Sequence, residues 1–246
     1  MNSIPRSITF ALANILHPRM LWLMVWPLLI ALAIWGTLAL VFWAQVALAI
    51  AEWMQQGLAQ APFISDWDLA DATLFAAKLL ILVMLVPIIQ LTALLILSIF
   101  GMPAMVGHVA SRAFPSLERK RGGSLSGSVL NSALALAGML GLGLVSIPFW
   151  IFPPIWPLIP IAILGWVNQR VLRYDALAEH ADAAEMRQLF SANGGALYAL
   201  GAILALAAYV PLLGLFVPVL LGLAFIHFLL AALQAQRTAP IEGQVL

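Results

Sequence analysis

Residues 146–166 read SIPFWIFPPIWPLIPIAILGW, and the way this run folds decides how the rest of the chain is arranged. It lies in a window, Gly122 to Gln169, of 48 residues without an Asp, Glu, Lys or Arg. As one straight helix that window would reach about 70 Å, more than twice the ~30 Å hydrocarbon core of a bilayer. The chain must therefore turn back. Pro148, Pro153, Pro154, Pro157 and Pro160 mark the place, because proline removes a backbone donor and drives the preceding residue out of helical geometry. Backbone opened in this way finds no partners in lipid, so the turn must pack in protein or line a wet cavity. The sequence predicts a hairpin in the membrane over residues 124–167, with its tip at Ile155 and Trp156.

Composition extends the same reading to the whole chain. Of 246 residues, 64% are apolar and 9% charged, and the mean hydropathy is +1.05. Soluble domains carry roughly a quarter charged residues, so this is an all-α integral membrane protein. A net charge of +1, with no basic cluster interleaved with aromatics, gives no reason to expect a nucleic-acid partner. The absence of cysteine excludes disulfides, thiolate metal sites and thiol catalysis. Ala47-Leu48-Ala49 resembles a signal cleavage site, but the apolar run before it begins near Met20 and is about twice a signal core in length, so a retained span is expected.

Taken in order, residues 1–18 place Ile8, Ala11, Leu12, Ile15 and Leu16 on one helical face, which suits a short interfacial helix; a loose tail with a frayed turn fits equally. Residues 20–51 form a first long span, with Trp22, Trp26, Trp43 and Trp53 near its ends as interfacial belts and Trp35 packed between them. In the acidic connection that follows, Asp66 and Asp68 are read as helix caps rather than metal ligands, since no His stands beside them. Residues 79–111 form the second long span, in which Pro87 should kink the helix and Gly101-Met102-Pro103 should break it. Its polar residues Gln90, Thr92 and Ser98 are expected to bond helix carbonyls or a neighbouring helix.

A basic loop with Arg112, Arg119, Lys120 and Arg121 then leads into the first hairpin. Residues 168–187 read as one polar helix. Its Glu179, His180, Asp182 and Glu185 suggest a metal cluster only at first sight, because side chains two apart on a helix do not face each other. No metal and no cofactor is expected. Residues 194–236 repeat the opening argument around Pro211 and Pro218, so a second proline-centred hairpin is predicted, with Leu212, Leu213 and Gly214 at its tip. The fold is thus two long transmembrane helices plus two short or re-entrant helical hairpins in a single polytopic domain, residues 1–246.

Cationic residues near spans stay cytoplasmic. With both termini inside, Lys78 is the one cation of eleven placed outside, whether or not the hairpins cross fully. A multi-pass protein of a bacterial inner membrane follows as the expectation.

Two stretches carry a family likeness. ALYALGAILALAAYVPLLGLFVPVLLGLAF, from Ala196, resembles the C-terminal Pro-Leu-Leu-Asn-x-x-x-Pro signature of the CysZ sulfate-permease family and the wider group of etoposide-induced membrane proteins. HPRMLWLMVWPLLI, from His17, resembles that group's N-terminal pattern through Pro18, Pro27, Leu28 and Leu29, and GWVNQR resembles its link between hairpins. The likeness covers most of the chain and implies a fold of two long transmembrane helices and two partly penetrating helical hairpins, without implying sulfate as the substrate. Departures accompany it. Alignment on Pro18 and Pro27 puts Arg19 on the glycine and Met20 on the leucine of the family's sulfate-binding Gly-Leu-Arg-Arg element, with Leu21 and Trp22 on its two arginines. Gly214 stands where Asn is usual, and Ala31 where Asn is frequent.

The leading functional expectation is a passive permease or channel for a small solute, with sulfate or a related oxyanion as the candidate. The N-termini of half-helices starting near Ile155 and Leu212 would present free amides to the anion, and Arg19 and Arg112 would attract it at the cytoplasmic mouth. The plainer role for both arginines is snorkelling to phosphate headgroups. His227 is read as a hydrogen-bonded core residue rather than a proton relay. The rival class is a non-transporting scaffold or lipid-interacting assembly protein, favoured by the lack of charge inside the spans. No Ser-His-Asp set or carboxylate pair shares a membrane depth, so an enzyme is not expected. Membrane lipids and further copies of the chain are the expected partners.

Overall fold

The computed structural model describes residues 4–58, 69–210 and 213–238, and every regular element among them is helical. Eight α-helices follow in order: α1 (Ile4–Ile15), α2 (Pro18–Leu58), α3 (Ala70–Ala113), α4 (Leu125–Ser146), α5 (Leu158–Leu177), α6 (Ala183–Ala192), α7 (Gly194–Ala207) and α8 (Leu213–Thr238). Two 3-10 turns, Ile147–Ile151 and Pro153–Ile155, separate α4 from α5. Asp66, Asp68, Pro211 and Leu212, all assigned roles from sequence, lie outside the described residues. Among the described residues, five helices are long and apolar enough to cross a bilayer, as a multi-pass membrane protein requires.

By internal packing the chain forms two compact units, Trp22–Ser98 and the remainder. Within Trp22–Ser98, α2 and α3 are tied at two polar rungs. Trp35 Nε1 donates to Thr92 Oγ1 at 2.9 Å, and Thr92 in turn donates to the Ile88 carbonyl. Further along, Gln55 Nε2 donates to Thr73 Oγ1 at 2.8 Å, and Thr73 bonds the Leu69 carbonyl. Each hydroxyl serves its own helix and its neighbour, so its single hydrogen is bonded to a carbonyl of its own helix. Leu40, 87% exposed, and Trp53, 73% exposed, leave the outer faces apolar, as a lipid contact demands.

One expectation fails here. Gly101-Met102-Pro103 does not break the helix; α3 is helical from Ala70 to Ala113 and passes through Pro87 as well. Proline removes one amide and displaces one carbonyl four residues back, a local cost that a 44-residue helix with packed neighbours absorbs.

The remaining unit is built on α8. Leu220, Leu223, Ala224, Phe225, Ile226, Phe228, Leu229, Leu230 and Leu233 are sealed from solvent, so this helix is the central rod of the unit. Pro218 sits inside α8 without breaking it. The preceding helix, α7, ends at Ala207, and α8 begins at Leu213. Close backbone approaches order the neighbours. A Cβ on Gly201 of α7 would stand 2.6 Å from the Gly165 carbonyl of α5. Such glycine crossings let helices touch by van der Waals packing where water supplies no drive.

Ahead of α6, α4 and α5 pair antiparallel. Asn131 Nδ2 donates to the Arg170 carbonyl at 2.7 Å and Ser128 Oγ to Asp175 at 2.6 Å. Farther up, Gly138 leaves room for Trp166. The tip closes on itself. Trp156 Nε1 donates to the Trp150 carbonyl at 2.7 Å, and Trp150 Nε1 to Ser146 Oγ at 3.2 Å.

The polar segment 168–187 is not one helix. Its first half completes α5, and Asp182 then starts α6 with a capping box, accepting from the Ala184 and Glu185 amides while Glu185 accepts from the Asp182 amide. Four consecutive amides of the basic loop, Lys120 to Gly123, donate to carbonyls of Ala178 to Ala181, with Arg121 in the left-handed region at φ 50°. Lys120 and Arg237 both reach Glu185, at 2.8 and 2.9 Å. The loop, α6 and the end of α8 are thereby stapled together.

Candidate functional site

The chain turns between α1 and α2 at Leu16-His17, and this elbow gathers the basic side chains. Pro18 occupies the first helical position of α2, where an amide would have had no partner. His17 caps the helix with its ring, since Nδ1 accepts from the Arg19 amide at 3.3 Å while its carbonyl accepts from Met20 and Leu21. Nδ1 is therefore unprotonated in the neutral ring, and Nε2 carries the hydrogen.

The buried stripe of α1 is Ser7, Ala11, Asn14 and Ile15. This differs from the face expected from apolar periodicity, because Leu12 and Leu16 stand 48% and 68% exposed while two polar residues go inside. Their partners explain it. Ser7 Oγ lies 3.0 Å from His227 Nδ1, which places His227 as a hydrogen-bonded core residue. Asn14 Nδ2 donates to the Phe10 carbonyl at 2.8 Å, so its Oδ1 is left to accept, and His108 Nε2 approaches it at 3.2 Å.

His108 stands over the elbow, its ring 4.8 Å from that of His17. Arg112 follows it by four residues on α3, on the same helix face. Both Arg112 and Arg19 lie within electrostatic reach of His108, and both are exposed. Two arginines from chain positions 93 apart thus act through space on the His108 ring. Such a cluster attracts anions and offers them planar, fork-shaped donors.

Of the residues singled out from sequence, Arg19 lies in the first turn of α2 and Arg112 in the last turn of α3, and both are exposed. The hairpin residues sit elsewhere and are differently engaged. The amides of Ile155 and Trp156 donate to the Phe152 and Pro153 carbonyls, and that of Gly214 donates to the Val210 carbonyl at 3.1 Å. Trp156 is 46% exposed. Leu213 begins α8, and Leu212 falls outside the described residues. The sequence reading missed His17, His108 and Asn14 as site residues. A signal existed in the spacing, because His108 and Arg112 are four apart, as are Phe10 and Asn14, and His17 directly precedes the proline that starts α2.

No curated protein and no solved structure matches the chain. Residues 8–218, running from α1 into the first turns of α8, match the family described as "Sulfate transporter CysZ/Etoposide-induced protein 2.4". That match takes in the elbow, both long helices and the first hairpin, and the chain therefore belongs to this family of membrane transporters.

Proposed function

We propose that the protein conducts sulfate or a closely related oxyanion passively across a bacterial inner membrane, and that the elbow of His17, Arg19, His108 and Arg112 receives the anion. The observation that carries this is the approach of the His17 and His108 rings to 4.8 Å at the elbow, with Arg19 two residues after the first ring and Arg112 one helical turn after the second. The family's Gly-Leu-Arg-Arg element has Leu21 and Trp22 in place of its arginines here, so the charge is supplied from one residue after Pro18 and from the far end of α3 instead. Passive conduction is supported by the four stretches 20–51, 79–111, 122–169 and 188–236, which contain no Asp, Glu, Lys or Arg to couple transport to protons or sodium.

In this reading α2 and α3 are the two long spans. The pairs α4–α5 and α7–α8 form the hairpins, and both termini lie in the cytoplasm with the basic loops. The tips at Ile155–Trp156 and Leu213–Gly214 shape the path rather than hold the anion, because the amides of Ile155, Trp156 and Gly214 are already bonded to carbonyls. The outer faces of α4, with Val129, Leu136 and Val145 exposed, are left to lipid and to further copies of the chain, which a sealed path between short hairpins requires.

The test is radiolabelled sulfate uptake into proteoliposomes, with phosphate and chloride as competitors. Uptake that sulfate saturates, and that Arg19→Gln and Arg112→Gln each reduce, supports the reading. No uptake above protein-free vesicles would turn the assignment to a membrane scaffold. Full uptake in the double variant would remove the elbow from the path.

A further inference from the structure

A second basic feature lies on the other flank of α1. Between α1, the end of α3 and the last three turns of α8 is an open cavity of about 790 Å³. Arg6 and Thr9 of α1 and Gln234 and Thr238 of α8 form its polar part, and Phe10, Phe114 and alanines of all three elements form its apolar part. His227 lies at its base, held by Ser7, with Phe10 stacked on its ring at a centroid distance of 4.4 Å and Phe114 tilted against it at 5.4 Å. Arg6 is the one formally charged residue among those lining it, so the cavity selects against cations and offers a single positive charge to an anion.

The dimensions decide what kind of anion. A lone tetrahedral oxyanion would fill a small part of 790 Å³ and would leave the aromatic wall wetted. Small-molecule sites of roughly 300–1,000 Å³ are usually filled by ligands that match apolar walls as well as polar groups. Leu12 of α1 and Leu16 just after it are exposed, which fits a helix resting in the lipid surface. A basic pocket between helices at that level is suited to a lipid head with its phosphate on the cation.

We propose that this cavity binds an anionic phospholipid, its phosphodiester on Arg6 and the adjoining hydroxyl and amide groups, and part of one acyl chain over Phe10, Phe114 and the alanine wall. The lipid then fills the space beside α8 and fastens α1, and with it the elbow, to the core. The chemistry shared with a free oxyanion is the tetrahedral anionic centre; the hydrocarbon distinguishes the two.

The full chain in neutral detergent, titrated with phosphatidylglycerol or phosphatidylcholine and read by native mass spectrometry, tests this. Arg6 and Ala235 are exposed, so Arg6→Gln and Ala235→Trp change the cavity without entering the core. Loss of one charge-assisted contact should weaken phosphatidylglycerol by about tenfold in Arg6→Gln and leave phosphatidylcholine unchanged. Ala235→Trp, which fills the groove, should weaken both lipids, with an unaltered gel-filtration profile confirming the fold. Millimolar sulfate should leave bound phosphatidylglycerol in place. Wild-type phosphatidylglycerol affinity in Arg6→Gln overturns the proposal, as does unchanged binding of both lipids to a correctly folded Ala235→Trp. Displacement by inorganic sulfate also overturns it and assigns the cavity to free oxyanions.

Discussion

Arg237, in the last turn of α8, grips the carboxylate of Glu185 with both Nε and Nη2, at 2.9 and 3.0 Å, while the same Nη2 also donates to the His180 carbonyl at 2.7 Å. The two residues are 52 apart in sequence. This pair holds the polar connection between the hairpins against the central helix, and Lys120 adds the basic loop to the same carboxylate.

Its pH dependence has a definite sign. The Arg237 guanidinium, followed by Lys120 and the Asp182 amide, holds the Glu185 carboxyl at about 2, below its ordinary 4.5. A depressed carboxyl stabilises the fold above its unfolded value and loses that contribution as pH falls through the folded one. Thermal unfolding of the detergent-solubilised protein should therefore lose stability between pH 4.5 and about 2, and Glu185→Gln should flatten that part of the profile.

At neutral pH, Glu185→Gln should lower stability by about 2 kcal/mol through weakened charge-assisted hydrogen bonds. Arg237→Gln should cost a similar amount, and the double variant clearly less than the sum, because both changes remove one interaction. A double-variant cycle by denaturant unfolding checks it.

The crossing of α5 and α7 makes glycine necessary at Gly201. Its Cβ would meet the Gly165 carbonyl at 2.6 Å, and backbone cannot swing aside as a side-chain end can. Gly201→Ala should destabilise by about 1–3 kcal/mol through forced separation of the helices. Gly141→Ala, on α4 with nothing within 4 Å of the added carbon, should be neutral or stabilising by up to about 1 kcal/mol.

Trp35→Phe removes the donor to Thr92 while keeping the ring's bulk. Side-chain hydrogen bonds between membrane helices are worth about 0.6 kcal/mol on average, so a loss of about 1 kcal/mol is expected. Thr92→Val should cost no less, since it leaves the indole donor without its partner.

At the elbow, Asn14→Leu should strip His108 of its bond to Oδ1 and leave Arg19 and Arg112 untouched. Sulfate uptake should keep its dependence on the arginines but change its pH profile in the range where imidazoles titrate. An unchanged profile would separate His108 from anion reception.

Class and family were open to reading from the chain alone. Uncharged windows too long for one crossing, broken by Pro153, Pro154 and Pro157, required helices that reverse, because an unpaired backbone cannot sit in hydrocarbon at any position along the chain. Arg19 and Arg112 were legible as the cations nearest the ends of the long helices. Other features were not. Pro103 and Pro218 look like breaks in sequence and prove to be helical, because whether a proline ends a helix depends on the neighbours that stabilise the turns around it. Ser7 and Asn14 look like the wet side of α1 and are buried, because His227 and His108 arrive from helices distant in sequence to satisfy them. Hydropathy and chain breaks are local properties, so the sequence by itself determined a polytopic helical membrane protein of the sulfate-transporter family. Which polar groups meet is a property of pairs far apart along the chain, so only the tertiary structure decided that His17 meets His108 and that Arg6 faces a cavity beside α8.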